Sequence, residues 1–227
     1  MTTEIILIRH GETAWNAERR LQGHIDIPLN AQGEYQARAL GASLQATPLA
    51  AIISSDLQRA HQTAQAVAAW HKRQIHALQI DPDLRERCFG AFEGLHYDEI
   101  ARRYPQAFAL WQARDAEALM PAGERVGESF RQFYTRSMAA LVRWAVRYPG
   151  QSIAVVAHGG VLECAYRAAC DIALSTPRTF AVLNASVNRL IWHDGQFSLR
   201  SWGDCAHLEA LPMSLDEVDR EVEKGLV

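Results

Sequence analysis

Residues 7–16 read Leu-Ile-Arg-His-Gly-Glu-Thr-Ala-Trp-Asn and follow directly on the apolar run 5–8. A strand that ends in Arg9-His10-Gly11 puts a guanidinium and an imidazole at the mouth of a sheet. Arginine grips phosphate oxygens in pairs, and a neutral imidazole is a nucleophile toward phosphorus. Gly11 lets the backbone come close to whatever lies there. Three other places supply matching groups. Arg59 falls in the first turn of a helix after a second strand, where free N–H groups also favour an anion. His158 follows a strand at 152–157, again just ahead of a helix. Glu86 lies in the irregular segment 84–90 and offers a carboxyl group. Open α/β sheets bind ligands outside the carboxyl ends of their strands, so these groups are expected to converge there.

Taken singly, each residue has a plainer explanation. A histidine after a buried strand is usually structural, and an arginine in a first helical turn is usually solvated. Glu86 is flanked by Arg85 and Arg87, which suits a surface ion pair. Asn16 fits a turn cap, and Trp15 fits either core or pocket wall. The remaining histidines, His61 among them, read as surface or core residues, and His61, two residues beyond Arg59, is the one of them with some chance of facing the pocket.

Segments of strand and helix character alternate along the chain, the mark of an α/β layer structure. Residues 4–8, 50–54, 75–80 and 152–157 read as buried strands, the third stopped by Asp81-Pro82. Asn30 is the N-cap expected for a helix whose apolar face carries Ala37, Leu40, Gly41 and Leu44. Ser55-Asp56-Leu57-Gln58 fits a capping box ahead of the stripe Ala60, Ala64, Val67 and Ala68. The stretch 84–127 is less regular, with short helical patterns at 97–103 and 108–114, and reads as a cap over the sheet edge. Phe130, Phe133, Ser137, Leu141 and Ala145 predict a helix that stops at Tyr148-Pro149-Gly150. A helix is expected from about Val161, and residues 187–202 alternate around Asp194-Gly195 as a hairpin does. The acidic last dozen residues read as a helical or frayed tail.

Composition narrows the partners. The 227 residues are 48% hydrophobic and 22% charged with a net charge of -3, which gives no support for a nucleic-acid or membrane-surface partner. Lysine occurs only at 72 and 224, so positive charge is nearly all guanidinium. Cys88, Cys164, Cys170 and Cys205 show no metal or disulfide spacing, and free buried thiols in a cytoplasmic protein are expected. Met1-Thr2-Thr3-Glu4 lacks the basic start of a signal peptide, and no metal motif is present.

The string at 7–16 resembles the signature of the histidine phosphatase superfamily, also called phosphoglycerate mutase-like. The resemblance extends through 54–60, 155–160 and 184–188 to Trp202-Gly203-Asp204 and His207-Leu208. It implies that His10 is the nucleophile, that Arg9, Arg59 and His158 form the phosphate pocket, and that Glu86 gives and takes the proton. It also implies that Asn16, Gln22, Gly23 and Gly159 meet the substrate. The implied fold is an α/β three-layer sandwich, with a mostly parallel central sheet flanked by helices. One domain is expected over 1–227, with a small cap insertion at about 90–128. In-line displacement calls for a neutral His10 whose second ring nitrogen donates a tautomer-fixing hydrogen bond. Arg9, Arg59 and a protonated His158 would then stabilise the equatorial oxygens.

The activity so implied is a metal-independent phosphatase acting on a small phosphorylated metabolite, with no cofactor. Nucleic acid and membrane are not expected as partners, and a homodimer is left open. The alternative is a cofactor-dependent phosphoglycerate mutase. The short insert, Gly127-Glu128-Ser129 and His158-Gly159-Gly160 are similar to the phosphatase branch. A non-catalytic phospho-ligand binder ranks lowest, since nucleophile, arginines and acid are all present.

Overall fold

Residues 5–8 are apolar throughout because both faces of their strand are covered. In the computed structural model, which describes residues 1–71 and 78–208, they form the middle of β1 (Thr3–Arg9). Ile5 and Leu7 enter one core and Ile6 and Ile8 another, all fully buried. The same alternation runs through β2 (Ala51–Ser54), where Ile53 and Ile52 part company. With β3 (Gln79–Ile80), β4 (Ser152–Ala157), β5 (Val187–His193) and β6 (Gln196–Asp204) they make a six-stranded sheet ordered β3-β2-β4-β1-β5-β6. The first four strands are parallel, and β5 and β6 join antiparallel.

After the short α1 (Ala14–Glu18), α2 (Ala31–Ser43) and α3 (Gln58–Ala68) cover one face, burying Leu40, Ala60, Ala64 and Val67 against Ile6 and Ile8. A small third core of Phe92, Ile100 and Met120 organises α4 (Tyr97–Arg103) and α5 (Pro105–Gln112). The other face carries α6 (Phe130–Arg147) and α7 (Gly159–Cys170), with Phe133, Leu141, Val161 and Leu162 buried on Leu7 and Val155. Full burial of one such side chain contributes roughly 1.5–3 kcal/mol, so the layers are held chiefly by these two cores. The fold is the expected α/β sandwich.

Several local expectations hold and others change. Asn30 caps α2, its side chain accepting from the Gly33 N–H at 2.8 Å. Asp194 and Gly195 both have positive φ, the requirement of a two-residue hairpin turn. The capping box at 55–58 is not formed: α3 is preceded by Leu57 with no side-chain cap, because the Ser55 hydroxyl serves Leu57 N–H and His158 instead. The expected strand at 75–80 is seen as Gln79–Ile80, and its earlier part, 72–77, lies outside the described residues, as does the tail at 209–227. The helix expected at 108–114 starts at Pro105, which fits a first turn, and ends at Gln112. The helix expected from about Val161 is α7, which begins at Gly159. All four cysteines are free, but only Cys88 and Cys164 are buried, since Cys170 reaches the surface and Cys205 is half-buried.

The register places the chemistry. Arg9 lies opposite Ala157 across the parallel β1–β4 pair, and the His10 N–H continues the ladder to the Ala157 carbonyl at 3.0 Å. Ser54 lies opposite Val156, whose carbonyl accepts from Ser55 N–H at 3.0 Å. His10, Ser55 and His158 therefore leave the sheet side by side.

Gly11 and Gly33 set how closely α2 approaches that edge. A Cβ on either would collide with backbone, Gly11 with the Gly33 carbonyl and Gly33 with the Glu12 carbonyl oxygen. The close approach at Gly11 is thus to a helix of the same chain. Gly33→Ala is expected to destabilise the protein by about 1–3 kcal/mol, as overpacking of rigid neighbours does, measured by equilibrium urea unfolding. An unchanged midpoint would mean that α2 can slide away at no cost.

Candidate active site

A cavity of about 560 Å³ opens over the carboxyl ends of β1 and β4. Arg9, His10, Asn16, Gln22, Gly23, Glu86 and Gly159 all line it. Arg59 and His158 lie just beneath, almost wholly buried. The ring centroids of His10 and His158 are 5.2 Å apart. His61 is not among the lining residues, and its Nε2 lies 3.0 Å from the Gln65 amide.

His10 is held from several sides. Its Nδ1 is 2.7 Å from the Gly11 carbonyl, which can only accept, so Nδ1 carries the hydrogen and Nε2 keeps a lone pair. Its own carbonyl accepts from the Asn184 amide at 2.9 Å and from Ala185 N–H at 3.2 Å. Gly11 N–H donates to the Thr63 hydroxyl, which donates in turn to the Arg59 carbonyl. Burial, with Arg59 and Arg9 beside it, holds the His10 pKa well below its ordinary value despite the Gly11 hydrogen bond. His10 is neutral at pH 7.

His158 departs from expectation. Burial first, then Arg59 and His10, keep its pKa well below the usual range, so it too is neutral rather than protonated. Its Nε2 is 2.9 Å from Ser55 Oγ, which already accepts from Leu57 N–H at 3.3 Å. Donation of a hydrogen bond from the buried Ser55 hydroxyl to Nε2 goes with the tautomer that carries its hydrogen on Nδ1. That Nδ1 is buried with no hydrogen-bond partner among the described residues. A buried orphan donor is costly, and a phosphoryl oxygen would satisfy it.

The cations surround this pair. Arg59 donates to the carbonyls of Gly23 at 2.8 Å and Ile25 at 2.9 Å, while its buried Nε has no partner among the described residues. Burial brings its pKa down to about 10, so it stays charged at neutral pH. Arg9 donates to the Val182 carbonyl, and any side chain at Gly159 would begin 3.5 Å from its Nε. Asn16 is both cap and wall: its Oδ1 accepts from Thr13 N–H at 3.0 Å. Gln22 accepts from the Thr13 hydroxyl at 3.1 Å.

Glu86 is no surface ion pair. Arg85 turns away to Asp56, with contacts of 2.7 and 2.5 Å. The Glu86 oxygens accept from Gly160 N–H at 3.0 Å and Arg87 N–H at 2.8 Å. A Cβ at residue 160 would meet that carboxylate and the Phe133 ring, so the second glycine after His158 makes room for both. Arg136 gathers the carbonyls of Asp83, Arg85 and Glu86 while pairing with Glu128, and the His24 ring contacts the Glu86 carbonyl at 2.7 Å. Sequence reasoning missed Ser55, Thr63, Arg136, His24 and Gly33 as supports. For Asn184 it had a motif match without a role.

The histidine phosphatase superfamily (branch 1) family model matches residues 5–205. Phosphoglycerate mutase-like protein 4 of Arabidopsis thaliana is 39% identical over 210 residues, 91% of this chain and 87% of that protein. The metal-independent phosphoserine phosphatase of the same plant is 39% identical over 212 residues, covering 92% and 84%. Among solved structures, YhfR of Bacillus stearothermophilus superposes with a TM-score of 0.81 at 35% identity, over 91% of this chain and 100% of that one.

Two neutral buried histidines leave a signature in stability. Their folded-state pKa values lie below the unfolded value near 6.5, so between the two the unfolded chain binds more protons. Stability is therefore complete above about pH 7 and falls as pH drops below 6.5, by up to about 1.4 kcal/mol per unit for each histidine. Half-buried His24, lowered too, acts in the same direction. Depressed carboxylates such as Glu163 act only below their ordinary 4.5. Urea unfolding between pH 5 and 8 should show this fall, shallower by one proton in His158→Asn. A flat profile in the wild type would mean that both histidines protonate freely in the folded protein.

Proposed function

The chain belongs to the histidine phosphatase superfamily, and from that membership we propose that it hydrolyses a small phosphomonoester through a phosphohistidine on His10. One observation carries this reading: His10 lines the cavity as a neutral imidazole whose Nδ1 is committed to Gly11, so that Nε2 is the nucleophilic nitrogen.

Nε2 attacks phosphorus as the bond to the ester oxygen breaks. The electron pair leaves with that oxygen, which takes a proton from the Glu86 carboxyl group. Arg9 and Arg59 stabilise the equatorial oxygens as cations, and His158 does so as a neutral donor through Nδ1–H. Water then attacks the phosphohistidine, giving its proton to the Glu86 carboxylate as the N–P bond breaks. Phosphate departs and His10 is neutral again. Guanidinia supply the charge that a metal ion would otherwise provide, and the likeness to a relative named metal-independent phosphoserine phosphatase supports a metal-free, hydrolytic reading.

The relative named phosphoglycerate mutase-like supports return of the phosphoryl group to a second ester as the alternative. Both routes share the first half-reaction, and they part on whether water reaches phosphohistidine. Hydrolysis is favoured by the short stretch between Glu86 and α6, and by Gly159-Gly160 after His158.

Brief incubation with ³²P-labelled substrate should give an acid-labile, base-stable phosphoprotein that His10→Ala abolishes. Label on another residue, or normal turnover by His10→Ala, overturns the proposal. Release of phosphate, set against conversion of 3-phosphoglycerate to its isomer, decides between phosphatase and mutase.

Glu86→Gln should slow alkyl phosphates far more than p-nitrophenyl phosphate, whose leaving group needs no proton. General acid help is typically about 10² to 10⁴-fold, so the gap between the two substrates is readily measured. Equal losses on both would assign Glu86 to holding Gly160 and the turn around it.

A further inference from the structure

Residues 85–89, Glu86 among them, lie between two short 3₁₀ turns, Pro82–Leu84 and Gly90–Phe92, in neither helix nor strand. A carboxyl group that must meet one ester oxygen needs a backbone that stays in place. Here side chains hold it. Arg136, in the second turn of α6, donates through Nη1 to the carbonyls of Asp83 at 2.7 Å and Arg85 at 3.2 Å. Its Nη2 donates to the Glu86 carbonyl at 3.3 Å. Nε and Nη2 also donate to the two Glu128 oxygens, at 2.9 and 2.8 Å.

Glu128 grips the far side of the turn. Its Oε2 accepts from Cys88 N–H at 2.9 Å, and its own N–H donates to the Cys88 carbonyl at 2.8 Å. Burial opposes its ionisation, but Arg136 and the Cys88 N–H outweigh that and hold its carboxyl below the usual range. The backbone on both sides of Glu86 is therefore held by one ion pair. Carbonyl oxygens that converge on one place repel unless a cation stands there, and a carbonyl left unpaired away from water is costly. A planar guanidinium can meet all five of these acceptors, which the point charge of an ammonium does not match. Exposed ion pairs contribute little, but this one is partly buried and bidentate.

The same pair ties the turn to the sandwich. The Arg136 guanidinium lies 5.2 Å from the centre of the Phe133 ring, and that ring packs beside Gly160, whose N–H the Glu86 carboxylate accepts. From the other side, His24 meets the Glu86 carbonyl at 2.7 Å and follows Gly23, whose carbonyl receives Arg59. Arg136 and Glu128 are not among the residues that line the cavity.

We propose that Arg136, braced by Glu128, is a positioning residue for proton transfer: it sets where the Glu86 carboxyl group meets the departing ester oxygen. This rests on the reading of Glu86 as proton donor. Misplacing a reacting group by about 1 Å can lower a rate by about 10²-fold, so a small shift of the turn is measurable.

The test compares kcat/KM for phenyl phosphate and p-nitrophenyl phosphate, esters of similar shape whose leaving groups differ in their need for a proton. In Arg136→Gln, phenyl phosphate should lose about tenfold more than p-nitrophenyl phosphate, part of what a general acid supplies. Glu128→Gln should open the same gap more weakly, and it keeps the test alive if Arg136→Gln does not fold. Either change added to Glu86→Gln should leave the ratio where Glu86→Gln put it, because nothing remains to be positioned. Arg131→Gln, an exposed partner of Glu117 on the same helix, should leave the ratio unchanged. A variant that is only destabilised loses both esters alike. Equal losses in Arg136→Gln and Glu128→Gln, or a ratio that widens further in the Glu86→Gln background, overturn the positioning role while Glu86→Gln keeps its own gap. Absence of a gap in Glu86→Gln overturns the proton-donor reading and the positioning role with it.

Discussion

The parallel register of β1 on β4 is the constraint from which the site follows. Because Arg9 pairs with Ala157, the residues after them, His10 and His158, must emerge beside each other. A slip of one residue would turn every side chain of β1 to the opposite core, so the register cannot drift without exchanging Ile5 and Leu7 for Ile6 and Ile8. The energy that aligns two imidazoles is therefore the burial of the central strands. Hydrogen bonds at the edge, with Thr63, Asn184 and Ser55, need only fix orientation, each contributing about 1 kcal/mol.

Once the imidazoles are buried among guanidinia, their charge state is no longer independent. Arg59 and Arg9 raise the cost of protonating His10, and Arg59 raises it for His158. That suits a nucleophile, which must keep its lone pair, and it changes what His158 can contribute. Positive charge in the pocket is assigned to arginines, which burial does not neutralise at physiological pH, as the value near 10 for Arg59 indicates. What the second histidine can offer is a directed hydrogen bond instead. Ser55 takes the place of the carboxylate that orients many catalytic histidines, and a neutral hydroxyl fixes a tautomer without raising the pKa as a carboxylate would.

What could be read from the chain follows the range of the forces involved. Apolar alternation, the Asn30 cap and the Asp194-Gly195 turn are local, and each is found where the pattern predicts it. Strand ends are nearly as legible, so His10, Arg9 and His158 stand out because they follow buried runs. Arg59 was legible as a first-turn arginine, but not that its N–H groups would hold the carbonyls of Gly23 and Ile25. Ser55 departs from its local pattern for a physical reason: the same string serves a capping box or a histidine partner, and only the turn after β4, a hundred residues later, decides. The collisions that require Gly33 and Gly160 are likewise long-range. No local periodicity carries them.

The cap obeys a different rule. Its core of Phe92, Ile100 and Met120 is separate from the two cores of the sandwich, and Trp111 stacks on Tyr97 over the cavity rather than into the sheet. Side chains there can change without disturbing the strand register that aligns the histidines. The two ends of the cavity meet on α7, whose first turn supports Glu86 and whose second carries Glu163. The backbone of that helix fixes the distance between them. Variation in the cap alters the outer wall of the cavity, whereas the spacing between the Glu86 carboxylate and Glu163 is a property of the sandwich itself.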